Sequence, residues 1–247
     1  MINFSGIDAN SGIGSFLRKI AKFFPRNIPL PILQGPLRGS RWILGSGVLG
    51  YWLGSYELEK QKVFTSLVKP GDVVFDVGAQ AGFYTLLAAK LVGPAGKVFS
   101  FEPFPNNFDN IKKHLSLNGV ENVIALKVAV ADKEGEAGFA TGESTSTGYI
   151  SESGGTRVKT ESLDGLLAAG KILSPKIIKM DIEGAEFMAL SGAKNILEKN
   201  KPTILLATHG AGVKKQCMDL LTLYGYEFSS PKGTVEDSDE LVAEPKR

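Results

Sequence analysis

The stretch VVFDVGAQAG, residues 73–82, decides the fold. Three apolar residues lead to Asp76, and Gly78 and Gly82 follow. A helix-like segment comes next, then a second apolar run, VFSFE, that ends in the acid Glu102. This order reads as a strand, a tight glycine turn, a helix and a second strand tipped with a carboxylate. Such a unit binds a nucleoside cofactor at the carboxyl ends of parallel strands. Gly78 lets the backbone turn with positive φ, and Gly82 lets helix and cofactor approach closely. Glu102 is placed to accept both hydroxyls of a ribose, a task suited to a bidentate carboxylate.

The turn also narrows the choice of cofactor. A dinucleotide site wants G-x-G-x-x-G, and the second glycine position is Gln80 here. No G-x-x-x-x-G-K-[ST] occurs, so a triphosphate P-loop is absent. Asp76 disfavours a phosphate beside the turn and suits a cofactor carrying an ammonium group and a cationic centre. S-adenosyl-L-methionine (SAM) has both. The D-x-G-x-x-x-G turn, with an acid one βα unit later, resembles the class I SAM-dependent methyltransferases. A βα turn with helpful glycines and no ligand is the plainer alternative.

Composition sets the outer bounds. A chain of 247 residues buries a large core, and α/β domains of this size are often single. Hydrophobic residues make up 43% and charged residues 22%, ordinary globular values. A net charge of +2 does not by itself point to nucleic acid. Cys217 stands alone, so no intramolecular disulfide forms, and a reducing, cytoplasmic location is expected. One cysteine and two histidines do not make a structural zinc site. No apolar run reaches the ~18 residues of a membrane span, and the N-terminus does not read as a signal peptide.

Along the chain, Ser15 to Phe24 gathers Phe16, Leu17, Ile20, Phe23 and Phe24 on one side of a helix that Pro25 stops. Packing on the main domain is the favoured use, over peripheral contact with an anionic membrane. Residues 1–54 are expected to form an N-terminal extension and 55–247 the main domain. Residues 40–54 read as short strands or turns, and Glu57 to Leu67 has helical spacing. Strands are predicted near 73–77, 97–102, 122–130, 176–181, 203–207 and 226–229, with a possible last one at 241–243. Helices are predicted at 82–92 and about 212–224, with another capped by Asn106 or Asn107. The fold class is therefore α/β: a Rossmann-like, seven-stranded, mostly parallel sheet with helices on both faces. Residues 132–160 break the rhythm. Phe139 and its flanks could pair with Arg157 to Thr160, and the long loop 142–155 between them reads as a substrate lid or a disordered stretch.

A second constellation sits at strand ends four and five. KIIKMD ends in Asp181, and Glu183 and Glu186 follow. The strand at 203–207 leads to Thr208-His209-Gly210. In a parallel sheet both ends open on the crevice above Asp76. His209 is a credible proton acceptor for a hydroxyl, with Asp181 orienting it or the acceptor. Glu186 reads first as an acid favouring a helix N-terminus. Asp181, Glu183 and His209 offer oxygen and nitrogen ligands for Mg²⁺, but their spacing matches no dependable metal motif, and no metal is expected.

Taken together the segments resemble the FkbM-type SAM-dependent methyltransferases. These are GSYE (54–57), KPGDVVFDVGAQAGFYT (69–85), VFSFEP (98–103), ALKVAVAD (125–132), KMDIEGAE (179–186) and ILLATHG (204–210). The likeness runs from about Gly54 to Gly210. It implies that Asp76, Gly78, Ala79, Gln80, Ala81, Gly82 and Phe83 cradle the methionine part of SAM. It implies further that Glu102 holds the ribose, that Ala129 and Val130 lie near the adenine, and that Asp181 lies beside the methionine amino group or the acceptor. Gln80 departs from the Asn or small residue more usual there. The family's members mostly methylate hydroxyl oxygens on sugars and natural products, so a small-molecule or carbohydrate hydroxyl is the expected acceptor. Rival readings are a methyltransferase for nucleic acid or protein, and a SAM-binding protein without catalysis. Scattered lysines with no aromatic-laced basic stripe disfavour a nucleic-acid partner. Nothing in the sequence fixes the oligomeric state.

Overall fold

The structure, a computed structural model, describes residues 27–141, 148–150 and 155–246. The expected helix at Ser15–Phe24 and most of the loop 142–155 lie outside the described residues. The chain opens with an antiparallel pair, β1 (Pro29–Pro31) and β2 (Arg41–Ile43), then two helices, α1 (Leu49–Leu53) and α2 (Leu58–Leu67). The alternation read from the sequence follows: β3 (Val73–Val77), α3 (Phe83–Val92), β4 (Lys97–Phe101), α4 (Pro105–Leu117) and β5 (Val123–Leu126). Next come β6 (Ala129–Val130), β7 (Gly135–Thr141), β8 (Gly148–Ile150), β9 (Thr156–Glu161) and α5 (Leu163–Ala168). The chain returns through β10 (Ile177–Met180), α6 (Glu186–Ser191), a π-helical turn at Ile196–Asn200, β11 (Thr203–Ala207), α7 (Ala211–Leu223), β12 (Tyr226–Ser229) and β13 (Glu240–Pro245).

The main sheet has seven strands in the order β12-β13-β11-β10-β3-β4-β5. All pairs are parallel except those of β13, which inserts antiparallel between β12 and β11. Strand alternation divides the core into two faces. Phe75, Val77, Phe99, Phe101, Ile178, Met180, Ile204 and Leu206 point to one side. Val74, Val98, Ile177, Leu205 and Val242 point to the other, against α3. Burial on both faces explains the near-continuous apolar runs in these strands. Asp76 falls on the α3 face, where it is fully buried and accepts a 2.6 Å hydrogen bond from the Thr85 hydroxyl.

Three expectations need correction. The run 122–130 is not one strand: β5 ends at Leu126, and β6 joins the smaller sheet β6-β9-β7-β8. Asn106 and Asn107 do not cap α4. Phe104 is its N-cap and Pro105 its first residue, since proline's fixed φ and missing N–H suit that position. Residues 40–54 hold a helix, α1, as well as a strand. The pairing of Phe139 with the segment after 155 is present, with Phe139 opposite Thr156.

His114 on α4 ties the early segment to the glycine turn. Its ring stacks on Trp42 with centroids 3.8 Å apart. Nδ1–H donates to the Ala81 carbonyl at 2.8 Å, and Nε2 accepts the Ile43 N–H at 3.1 Å. Burial pushes its pKa down to about 4, so the ring is neutral.

The parallel register sets Met180 beside Val77, and Asp181 N–H donates to the Val77 carbonyl at 3.0 Å. At the next step Gly78 takes φ +79, and a Cβ there would lie 1.9 Å from the Asp181 carbonyl oxygen. Gly78→Ala therefore meets both a backbone clash and positive φ. Gly39 has a similar φ of +86 and open space around it, so Gly39→Ala carries only the conformational cost, about 1–2 kcal/mol. Thermal melts of the two variants should show a mild loss for Gly39→Ala and a much larger one, or no cooperative transition, for Gly78→Ala. Equal losses would mean that the close approach at Gly78 is not tight.

Candidate active site

The sheet order reverses between β3 and β10, and a pocket opens there beyond the strand ends, where α/β folds bind ligands. Gly78, Ala79, Gln80 and Phe83 line it from the turn after β3. Glu102, Pro103 and Asn107 line it after β4, and Val128, Ala129, Val130 and Phe139 form an apolar stretch of wall. Asp181, Glu183, Ala207 and His209 come from the ends of β10 and β11, and Tyr51, Tyr56, Glu57 and Glu240 reach in from outside the central units. Gln80, Glu57 and Glu183 take positive φ of 49, 46 and 54° without being glycine. Such backbone strain gathers where a site holds the chain in place. The αL conformation at 80 also explains why Asn is the easier residue there.

Glu102 is clamped. Its Oε2 accepts the Gln80 N–H at 2.8 Å, and its Oε1 accepts the Phe104 N–H at 2.9 Å and the Asn107 amide at 3.5 Å. Burial pushes its pKa up to about 7, against the lowering effect of those donors. Of the residues expected to cradle the cofactor, Gly78, Ala79, Gln80, Phe83, Glu102, Ala129, Val130 and Asp181 line the pocket. Asp76, Ala81 and Gly82 stand behind its wall. Asp76 acts from there by facing Lys179 Nζ at 3.5 Å, with Lys179 directly opposite it in the register.

At the other end Asp181 is the hub. Lys60 Nζ lies 3.3 Å from its Oδ2, 3.2 Å from Glu57 and 2.5 Å from Glu240, so one buried ammonium joins α2, β10 and β13. Lys179 Nζ is 3.9 Å from Asp181 and donates to the Gly78 carbonyl at 3.1 Å. Burial works against the Asp181 charge, but Lys179, then Lys60 and His209, more than offset it and hold the carboxyl below its usual range.

His209 and Asp181 converge as the topology implied, with Nε2 3.7 Å from Oδ1 and 3.5 Å from Glu183. Glu186 does more than favour a helix N-terminus. Fully buried, it accepts the N–H groups of Ile182 (3.2 Å) and Gly184 (3.1 Å) and receives His209 Nδ1–H at 2.9 Å. That bond leaves Nε2 facing the pocket. The hydrogen bond to Glu186 raises the His209 pKa, burial opposes it, and the charges of Glu186, Asp181 and Glu183 add, pushing it to about 9. Titration near the ordinary histidine value is therefore not what these surroundings produce. Among the described residues no group of His, Cys, Asp and Glu is arranged to hold a metal ion. No helix of the described residues is long and apolar enough to cross a membrane.

The sequence carries no local sign that Lys60, Glu57, Glu240, Tyr51 and Phe139 belong to the site. Lys179 does carry one, as a lysine inside a buried apolar strand.

The sheet order, the clamped acid after β4 and the glycine turn after β3 define a class I SAM-dependent methyltransferase fold. A family model described as the methyltransferase FkbM domain matches residues 76–228, more than half of the sequence, and the chain belongs to that family. A hexuronic acid methyltransferase of Haloferax volcanii is 30% identical over 129 residues, 51% of this chain and 52% of that protein. A protein-L-isoaspartate O-methyltransferase of Aeropyrum pernix is 30% identical over 105 residues, covering 42% and 35%. The matches thus span about half or less of these curated relatives. Among solved structures, a methyltransferase FkbM from Methylobacillus flagellatus aligns with TM-score 0.52 at 15% identity, over 74% of this chain and 50% of that one. A SAM-dependent O-methyltransferase from Thermotoga maritima aligns with TM-score 0.51 at 12% identity, over 94% and 82%. Both likenesses concern the fold.

SAM is the cofactor of this class, and the residues present fit it. Each Glu102 oxygen keeps acceptor capacity beyond its backbone donors, as a ribose diol requires. Ala129, Val130 and Phe139 offer apolar wall for a base, and the carboxylates near Asp181 suit a cationic cofactor. Ribose hydroxyls donate best to ionised Glu102, so SAM affinity should rise about tenfold from pH 6 to pH 8. Glu102→Ala should lower affinity at least about tenfold and flatten that dependence, since hydrogen bonds to a charged group contribute about 1.5–3 kcal/mol each. Calorimetric titration at several pH values checks both, and unchanged affinity in a folded Glu102→Ala protein removes the ribose assignment.

Proposed function

We propose that this protein transfers the methyl group of SAM to a hydroxyl oxygen of a carbohydrate or similar small molecule. The observation that carries the reading is His209 Nε2 at the pocket wall, oriented by a buried carboxylate at Nδ1. A hydroxyl acceptor must lose a proton, and this arrangement serves that need. The sugar class is supported by the 30% identical relative named a hexuronic acid methyltransferase. A cytoplasmic setting rests on a single, buried, free cysteine, Cys217.

SAM, when bound, would supply an electrophilic methyl group, its S–C bond breaking as the acceptor's C–O bond forms and S-adenosylhomocysteine being left. The chain supplies alignment and a proton acceptor. Glu102 and the turn 78–83 would hold the cofactor. Lys60 and Lys179 fix Asp181 beside His209. Glu186 fixes the imidazole tautomer, so that the neutral ring presents the Nε2 lone pair to the acceptor hydroxyl. With a pKa of about 9, about one ring in a hundred is neutral at pH 7. Raising the pH frees the base.

Turnover should therefore climb about tenfold per pH unit below about 9 and then level off. His209→Ala should lower kcat about 10²–10⁴-fold at pH 9, abolish the pH dependence, and leave SAM affinity nearly unchanged. A homocysteine-release assay over a panel of sugars and hydroxylated metabolites gives the readout. Full turnover in His209→Ala would move the base elsewhere, Glu183 being the next candidate by position.

A further inference from the structure

We infer that the acceptor taken by this pocket is uncharged or carries an amine, and that sugar acids are excluded. The inference rests on the proposed methyl transfer and names the acceptor's charge class. Both relatives described above are named for acids, so the charge class separates this chain from them.

The end of the pocket away from Glu102 is built of carboxylates. Glu57, Asp181, Glu183 and Glu240 line it together, with side chains 21–41% exposed. An incoming carboxylate needs a cation with a donor to spare. Lys60 has three ammonium protons and three carboxylates within 3.3 Å, and its side chain is 4% exposed. Lys179, 5% exposed, is occupied by Asp76, Asp181 and the Gly78 carbonyl. Among the described residues no arginine lines the pocket.

Backbone donors do not replace the missing cations. The Ile182 and Gly184 N–H groups at this end already serve Glu186. The N-terminus of α7 follows His209, but its residues do not form part of the wall. His209 Nε2 faces the pocket, and any positive charge on its ring is already offset by Asp181, Glu183 and Glu186, which lie 3.7, 3.5 and 2.9 Å from its nitrogens. A sugar carboxylate placed here meets several like charges at short range in a partly desolvated site, where Coulomb terms outweigh their values in bulk water. A hydroxyl or an ammonium meets acceptors. Tyr56, beside Glu57, adds an aromatic ring to this end of the wall.

The test uses the full chain saturated with S-adenosylhomocysteine at pH 7. The methyl glycosides of glucose, glucosamine and glucuronic acid serve as probes, with binding followed by saturation-transfer NMR. The glucoside and glucosaminide should bind at least about tenfold more tightly than the glucuronide. The double variant Glu57→Gln/Glu240→Gln, shown to be folded by a cooperative thermal melt, should narrow that gap severalfold. Glucuronide binding equal to or tighter than the others, or no binding by any of the three, would overturn the inference. Failure of S-adenosylhomocysteine to bind would instead strike the proposed methyl transfer itself, so the two failures are told apart.

Discussion

The close approach of the Asp181 carbonyl to Gly78 is the constraint on which the rest of the site depends. Strands β3 and β10 run parallel and in register, so their ends arrive together. A side chain at position 78 would hold them apart. Because it is absent, the chain after β3 turns away at positive φ, and the chain after β10 carries Asp181 into the same crevice. The turn then delivers the Gln80 N–H to Glu102, while Ala81 is held from behind by His114. One steric allowance thus fixes the cofactor end and the reacting end relative to each other.

Charge organises what geometry brings together. Asp181 receives Lys60 from α2 and Lys179 from its own strand, and it faces His209 after β11. Buried ion pairs contribute little net stability, because desolvation cancels most of the Coulomb gain. Their effect here is on position and ionisation. Asp181 stays charged, Glu102 is raised toward neutrality by burial, and His209 is held protonated by its carboxylate neighbours. Environments that push neighbouring titratable groups in opposite directions mark functional sites more often than structural ones. The same abundance of carboxylates suits a cationic cofactor and is the basis of the acceptor preference inferred above.

Much of this architecture is legible in the sequence, for definite reasons. Strands β3, β4, β10 and β11 are short apolar runs bounded by turn residues, and helix α3 ends at Gly93-Pro94, so their limits are read within a residue or so. Glu102, Asp181 and His209 follow strand ends, and topology alone brings those ends to one crevice. Other parts depend on distant partners and leave no local trace. The break between β5 and β6 arises because Ala129 pairs with Thr160 instead of continuing beside β4. Lys60, Glu57 and Glu240 meet across about 180 residues of chain, and nothing near any of them announces the meeting. At α4 the sequence offers two competing start signals, the asparagines and Pro105, and the fold uses Pro105, whose ring belongs at a helix start. The raised pKa of His209 is not legible either, because it depends on Glu186, a helix-terminus acid by sequence that also reaches the imidazole in the fold.

The central claim is methyl transfer from SAM to a hydroxyl oxygen. It is tested most directly by incubating the full chain with carbon-13-methyl SAM and a carbohydrate extract of the source cells, then following the label by two-dimensional NMR. The account predicts a new O–CH₃ ether signal correlated with a sugar ring carbon, appearing as S-adenosylhomocysteine accumulates. Label found on nitrogen or in a carboxylate ester, or SAM bound but left intact in an extract that contains the acceptor, would contradict it.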